Sequence, residues 1–242
     1  MLLPLVAVLR PAPGSPPTRV LVVVELFTSE GCSSCPAADA ALRELAQAQS
    51  VPGVEVIALG EHVDYWNRLG WKDGFSSSAY TERQRRYATG FGSGSYTPQA
   101  VVNGRYEFVG SRTAELAATV VKAAKVPQAA VSVTATVGTA QVQVRSLPPG
   151  TPATEVLLVL TKSGLASPIG GGENAGLLLH HAAVVRQLLP LGQVGSAGTF
   201  TAAPVLKLAP DWKRPNLRVV VLVQEIASRR IVGVASAPIS NL

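Results

Sequence analysis

The residues best suited to do chemistry are Cys32 and Cys35, the two cysteines of a 242-residue chain. They lie in "ELFTSEGCSSCPAAD" (25–39), where two serines separate them. A pair with this spacing can be a redox couple, half of a metal site or a small structural disulfide. The elements on either side of the pair bear on which use is favoured.

The cysteines fall between a predicted strand and a predicted helix. "RVLVVVELF" (19–27) is a short valine-rich run, typical of a strand buried on both faces. "PAADAALRELAQAQ" (36–49) begins with proline and keeps its apolar residues on one helical face. Cys32 would therefore lie near a helix N-terminus, where the macrodipole and free N–H groups favour thiolate. Cys35, one turn along, could resolve a mixed disulfide.

The two other uses of the pair are less favoured. A zinc site would need two more ligands, and the candidates His62, His180 and His181 have no second C-x-x-C or H-x3-H spacing. A structural disulfide between Cys32 and Cys35 would close very few residues and stabilise the fold little. The sequence thus favours a redox pair or its remnant, and it assigns no metal and no cofactor.

Two more residues fit a redox site. Pro98, in "YTPQAVV", directly precedes a predicted strand, and in a thioredoxin-like fold this position is a cis proline facing the disulfide. Sequence does not show which isomer is present. Glu25, in the strand before the cysteines, is a candidate buried carboxylate that could move protons. Alternatively, it ends a strand and reaches solvent.

The segment "GEHVDYWNRLGWKD" (60–73) follows the second predicted strand, "VEVIAL" (54–59). Parallel strands end at the same edge of a sheet, so we expect His62 and Asp64 to emerge near Cys32. The pair could tune the thiolate or hold a metal or a substrate carboxyl group. Trp66, with the neighbouring Tyr65 and Trp71, could wall a pocket. In the alternative, His62 ends the strand and the aromatic rings fill the core of the loop.

The predicted elements divide the chain into two domains. Residues 19–126 contain strand, helix, strand, helix, two strands joined by Asn103-Gly104, and a closing helix. Residues 127–242 contain short strands, many with alternating polar and apolar residues, typical of an antiparallel sandwich. We therefore predict an α/β thioredoxin-like N-terminal domain and a C-terminal antiparallel β-sandwich-like domain.

Composition excludes several classes of protein. With 47% hydrophobic and 15% charged residues the chain should fold. The net charge of +6 is scattered, and its densest cluster, "RQRR" (83–86), resembles a solvated helix face, so no nucleic-acid partner is predicted. The apolar runs at 156–160 and 219–223 have the length of strands, so no transmembrane helix is predicted.

Residues 1–18 form an apolar and proline-rich leader or spacer. The leader has no basic residue before its apolar stretch, so we interpret it as a truncated or misassigned export signal. An apolar start that merely frays is the alternative.

Four long blocks carry a resemblance to a known family: "VELFTSEGCSSCPAAD", "HVDYWNRLGWKDGFSS", "YTERQRRYATGFGSGSYTPQAVVNGRYEFVG" and "GENAGLLLHHAAVVRQLLPLG". They resemble the bacterial domain of unknown function 1223 family and cover most of residues 20–240. The resemblance implies a thioredoxin-like domain, a β-rich domain and export to the bacterial periplasm or beyond, and it names no reaction. The matching positions are Cys32, Cys35, His62, Asp64, Trp66 and Pro98. The chain departs from the pattern at Ala37, Glu61, Ala182 and Ala183.

These observations favour an exported thiol–disulfide oxidoreductase-like protein. Cys32 would attack, Cys35 would resolve, Pro98 would dock an extended segment, and His62 with Asp64 would tune the site. The partner would be a cysteine pair of another protein. The alternative is a non-catalytic binding module with a locked disulfide and a small ligand or metal near residues 62–71.

Overall fold

The computed structural model describes residues 19–240, so the leader assigned to residues 1–18 lies outside the described residues. The first half has the predicted order of strands and helices. Its elements are β1 (Val20–Thr28), α1 (Cys35–Ala48), β2 (Val54–His62), α2 (Ser78–Phe91), β3 (Gln99–Val102), β4 (Tyr106–Val109) and α3 (Thr113–Ala123). β1 and β2 are parallel, as the crossover through α1 predicts.

The second half is built from strands and one short 3₁₀ turn. Its strands are β5 (Ala130–Thr136), β6 (Thr139–Ser146), β7 (Thr154–Lys162), β8 (Ala166–Pro168), β9 (Leu178–His180), β10 (Val184–Gln193), β11 (Phe200–Ala202), β12 (Leu217–Glu225) and β13 (Ile231–Ser240). The 3₁₀ turn, Arg214–Asn216, leads into β12. β8 and β9 form a separate two-stranded ribbon.

The remaining strands form one large mixed sheet. Its eleven strands have the order β11-β6-β5-β13-β12-β7-β10-β2-β1-β3-β4. The two halves meet where β10 runs parallel to β2, with Val184 opposite Gly60. The predicted thioredoxin-like domain followed by a separate sandwich is therefore wrong.

The central strands explain the error. In β7 and β12, alternate side chains enter two different cores. Leu158 and Val221 pack with residues of β5 and β6, whereas Leu157 and Val220 pack with residues of β1 and β2. Continuous apolar runs of this kind are typical of central strands buried on both faces, rather than of the half-exposed strands of a sandwich. Both halves contribute residues to one of these cores. The domain boundary near residue 127 stays a prediction.

Helices cover both faces of the first half of the sheet. α1 buries the predicted stripe of Ala38, Leu42 and Leu45 against β1 and β2, and α3 joins the same cluster. α2 lies on the other face, where Tyr87 packs against Phe27. The side chain of Ser77 accepts a hydrogen bond from the backbone N–H of Ala79 and caps the start of α2. Among the described residues, no helix has the length and apolar character needed to cross a membrane.

Candidate functional site

Cys32 and Cys35 form a disulfide, with their Cα atoms 5.4 Å apart. Cys35 is the first residue of α1, and Cys32 lies in the turn that connects β1 to it. Ser34, the N-cap residue, makes no side-chain capping bond, and its hydroxyl lies 3.4 Å from the Cys32 sulfur. The two serines are exposed, but Cys32 and Cys35 are only 0% and 1% exposed. In this form of the protein, the sulfurs are closed off from solvent.

Residues 170–176, here called the cover segment, lie against the cysteine turn. The buried Asn174 side chain donates hydrogen bonds to the backbone oxygens of Glu30 and Cys32, at 2.8 and 3.0 Å. The exposed Glu173 carboxylate accepts one from the backbone N–H of Ser33, at 2.9 Å. Hydrogen bonds with Ser33 hold the pKa of Glu173 below its ordinary value. Side chains of the cover segment therefore bind the backbone of the C-x-x-C turn.

Glycines allow the cover segment to lie close to the loop after β2. A Cβ atom on Gly171 would lie 2.5 Å from the backbone oxygen of Gly70. Gly172, with φ +70°, packs against Trp71, whose indole N–H donates to the Glu30 carboxylate at 2.8 Å. The sequence leaves open whether Trp71 walls a pocket or fills the core of the loop, and the structure places it between the cover segment and Glu30.

His62 has a different acidic partner from the predicted one. Its Nδ1 lies 2.6 Å from Oδ2 of Asp73, and both side chains are buried. Burial would lower the pKa of His62, but the hydrogen bond and charge of Asp73 outweigh it, so the pKa is raised. At Asp73, burial would raise the pKa, but the hydrogen bond and charge of His62 and the backbone N–H groups of Glu30 and Phe75 together lower it. Asp64 instead accepts a hydrogen bond from the Thr81 hydroxyl at 2.6 Å.

Three buried side chains from separate parts of the chain converge at the end of β2. They are His62, Asp39 from the second turn of α1, and His181, which follows β9. One possible ligand atom from each lies within 4.8 Å of the others. The convergence follows from the parallel register, since Thr28 at the end of β1 pairs with His62 and donates to Asp39 Oδ2 at 2.6 Å.

Several polar atoms in this cluster lack hydrogen-bond partners among the described residues. They are Asp39 Oδ1, His62 Nε2 and both ring nitrogens of His181. His181 Nε2 lies 3.2 Å from Glu30 Oε1, at ion-pair distance but without hydrogen-bond geometry. A buried unpaired polar atom costs about 1–3 kcal/mol, so each of these atoms calls for a partner. Burial raises the pKa of Asp39, and nearby histidine charge only partly offsets this.

Glu25 lies in a separate buried network. Its carboxylate accepts hydrogen bonds from Arg83 and Tyr87, each at 2.6 Å. Arg83 also donates to Gln224 of β12 at 2.9 Å and lies 3.4 Å from Glu61. These partners come from α2, from β2 and from the second half of the sheet, and they lie on the opposite face from α1. The structure therefore pairs Glu25 with Arg83 and not with the cysteine turn.

Trp66 and Pro98 lie beside the start of α1. The indole N–H of Trp66 donates to the Thr97 hydroxyl at 2.9 Å, and its Cβ lies 3.4 Å from where Gly31 would carry a Cβ. Trp66 thus connects the residue before Cys32 with the residue before Pro98. The Thr97–Pro98 peptide bond is cis.

The site also contains residues that sequence analysis did not single out: Glu30, Asp39, Asp73, Glu173 and Asn174. Asp39 follows Cys35 by four residues, so helical spacing places it one turn behind the sulfur. Asp73 ends the quoted block that begins near His62. Glu173 and Asn174 belong to the family-like block "GENAG". No spacing rule connects that block to the cysteines, because 142 residues separate Asn174 from Cys32.

Fold and site together define a disulfide-bearing protein built on a large mixed sheet. The chain belongs to the family described as proteins of unknown function (DUF1223), whose family model matches residues 23–224. The predicted family is thereby confirmed. No curated protein matches the chain.

Solved structures extend the comparison. The protein AGR_C_4864 from Agrobacterium tumefaciens is similar, with 27% identity and a TM-score of 0.68 over 91% of this chain and 94% of that one. A domain of the outer membrane lipoprotein Omp28 from Porphyromonas gingivalis matches with 12% identity and a TM-score of 0.27, over 47% of this chain and 95% of that one. A calcium-binding mutant of Bacteroides uniformis beta-glucuronidase 2 matches with 11% identity and a TM-score of 0.28, over 46% of this chain and 13% of that one. Only the first likeness is strong enough to support the fold.

Proposed function

We propose that the protein exchanges its Cys32–Cys35 disulfide with thiols of other proteins, in an oxidising compartment outside the cytoplasm. The observation that carries the proposal is a disulfide of sequence separation 3 placed at the start of α1. Such a short ring constrains the unfolded chain little. The helix N-terminus stabilises a thiolate at the same place. A disulfide that persists is also typical of exported proteins.

In the reduced protein, the Cys32 thiolate attacks one sulfur of a partner disulfide. A mixed disulfide forms, and the other partner sulfur leaves as a thiolate. The Cys35 thiolate then attacks the Cys32 sulfur, which re-forms the internal disulfide and releases the second partner thiolate. Two electrons pass to the partner, and the reverse sequence oxidises a partner dithiol. The Ser34 hydroxyl, 3.4 Å from the Cys32 sulfur, can donate to the thiolate.

We infer that the cover segment controls access to the sulfurs. Both sulfurs are buried, and Asn174 and Glu173 bind the backbone on either side of Cys32. A partner that displaces this segment reaches the disulfide directly, whereas a small oxidant or reductant reacts only when the segment opens. The cover segment thus favours exchange with partners that bind beside it.

The test is the reduction potential of the pair, measured by equilibration with glutathione or dithiothreitol buffers. We expect a value above about −300 mV, because the structural disulfides of secreted proteins typically have potentials below it. Reduced Cys35→Ser should accumulate a mixed disulfide when it is mixed with a disulfide-bonded peptide, whose second sulfur leaves as a thiolate, and reduced Cys32→Ser should accumulate much less. A potential below about −300 mV, together with no trapped mixed disulfide in Cys35→Ser, would overturn the proposal.

A further inference from the structure

The unpaired atoms at the end of β2 point to a ligand that the proposed disulfide exchange does not use. Asp39 Oδ1, His62 Nε2 and both ring nitrogens of His181 are buried and have no hydrogen-bond partner among the described residues. The exposed fractions of the three residues are 5%, 1% and 4%. Buried polar groups normally find a partner, and leaving several together unpaired is destabilising.

We propose that Asp39, His62 and His181 bind one divalent transition-metal ion, of which Zn²⁺ is the probe. One candidate ligand atom from each residue lies within 4.8 Å of the others. Small side-chain rotations bring such atoms to bond lengths of about 2.0–2.2 Å around a common centre. Two imidazole nitrogens and one carboxylate oxygen suit Zn²⁺, Fe²⁺ or Cu²⁺, whereas Ca²⁺ and Mg²⁺ prefer oxygen ligands alone.

The groups behind the ligands orient them as metal sites require. His62 Nδ1 lies 2.6 Å from the Asp73 carboxylate, which leaves Nε2 to face the ion. His181 Nε2 lies at an ion-pair distance of 3.2 Å from Glu30 Oε1, so Nδ1 is its candidate ligand atom. A carboxylate hydrogen-bonded as Asp73 is fixes the ring orientation of a metal-binding histidine and raises its basicity. The Thr28 hydroxyl holds the other oxygen of Asp39, at 2.6 Å.

Charge and access agree with the site. The carboxyl groups of Glu30, Asp39 and Asp73 are buried within the same region, and a dication would offset their negative charge. A pocket of about 170 Å³ reaches Asp39 and His181 from between α1 and β9, and it gives the ion a route of entry. Three protein ligands leave at least one position open for water or a small ligand.

The test uses the full chain with its disulfide intact, so that no thiolate can bind the ion. The protein is stripped with a chelator and titrated with Zn²⁺ in competition with a chromophoric chelator. We expect one ion per chain. His181→Gln and Asp39→Asn should each lower the affinity by more than about tenfold, and Asp73→Asn, which removes no ligand, by about 10–100-fold.

The matched control is His180→Gln, which replaces the exposed neighbour of His181 and should bind as the wild type does. Zn²⁺ should raise the melting temperature of the wild type and of this control, but not of His181→Gln. Circular dichroism checks that each variant is still folded. If a variant unfolds, the visible absorption of Co²⁺ bound to the wild type shows whether its ligands are nitrogen and oxygen. Failure of folded wild type to bind one ion, or loss of binding in His180→Gln alone, would overturn the proposal.

The metal proposal does not depend on exchange at the disulfide. The reduction potential tests the sulfurs, and the titration of the oxidised protein tests the cluster behind them. Either result can fail while the other holds.

Discussion

The side-chain amide of Asn174 donates a hydrogen bond to the backbone oxygen of Cys32 across 3.0 Å, although 142 positions separate the two residues. The same amide also binds the backbone oxygen of Glu30. A segment from the second half of the chain therefore binds the backbone of the turn that carries the disulfide of the first half. Reduction of the disulfide should depend on how often the cover segment opens, because buried sulfurs react only from the open form.

Glu173→Gln should speed reduction of the disulfide by a phosphine reductant at pH 7. The substitution removes the charge that accepts the hydrogen bond from the Ser33 N–H at 2.9 Å, and charged acceptors bind more strongly than neutral ones. Glu44→Gln is the control, because Glu44 is an exposed glutamate of α1. The rate is followed by mass spectrometry after alkylation of free thiols. Equal rates for both variants and the wild type would contradict the gating role of the segment.

The effect of Glu173→Gln should shrink at acidic pH. The pKa of Glu173 is lowered in the folded protein from an ordinary value of 4.5, so the docking contribution of its carboxylate is complete above that value. The contribution is lost as pH falls through the lowered pKa. As the pH falls through that lowered pKa, the wild type should approach the variant, with both measured under the same reductant at each pH. A rate ratio that does not change with pH would show that the charge of Glu173 is irrelevant.

Gly171→Ala should open the cover segment by steric conflict. Its new Cβ would lie 2.5 Å from the backbone oxygen of Gly70, which is too close for any real contact. Overpacking of this kind costs about 1–3 kcal/mol, which would raise the open population and the reduction rate by about 5- to 150-fold. Gly94→Ala is the control, since a Cβ there meets nothing within 4 Å. The thiol-alkylation assay measures both variants.

Local sequence patterns predict the elements of the first half. Short apolar runs indicate β1 and β2, and apolar residues at helical spacing indicate α1. The arrangement of the second half was not predictable in the same way. β10 pairs with β2 in parallel, with Val184 opposite Gly60, and no local pattern encodes a pairing between strands so far apart. The buried runs of β7 and β12 carried the relevant signal, since strands apolar on both faces belong at the centre of a large sheet.

The site was predictable to the extent that it follows from the ends of parallel strands. His62 does emerge beside Thr28 and the start of α1. Its acidic partner was assigned to Asp64 on proximity in sequence, but the loop folds back so that Asp73 takes that place. His181 reaches the cluster only because β9 lies across α1, and Arg43 of α1 donates to the His180 backbone at 2.8 Å. Such long-range placement is a property of the fold and has no local sequence signal.

Reduction of the disulfide should leave the protein folded. Its ring spans a sequence separation of 3, and the chain-entropy relation then gives a stabilisation of about 2 kcal/mol. Urea denaturation of the oxidised and reduced proteins, or of the Cys32→Ser, Cys35→Ser double variant, should show a loss no larger than this. A redox pair must fold in both states, so global unfolding on reduction would indicate a structural disulfide instead.

Arg83→Ala should be among the most destabilising substitutions on the sheet face that carries α2. The Arg83 guanidinium binds Glu25, Tyr87 and Gln224, and its removal leaves the fully buried Glu25 without its countercharge. Breaking a buried pair in this way costs about 3–5 kcal/mol in the free energy of unfolding. Arg85→Ala, at an exposed position of the same helix, should change it by less than about 0.5 kcal/mol. Urea denaturation measures both.

The reduction potential of a still-folded Arg83→Ala protein should match that of the wild type, because Glu25 contacts Arg83 rather than the cysteines. A shifted potential in that variant would instead connect Glu25 to the sulfurs, as the sequence alone predicts.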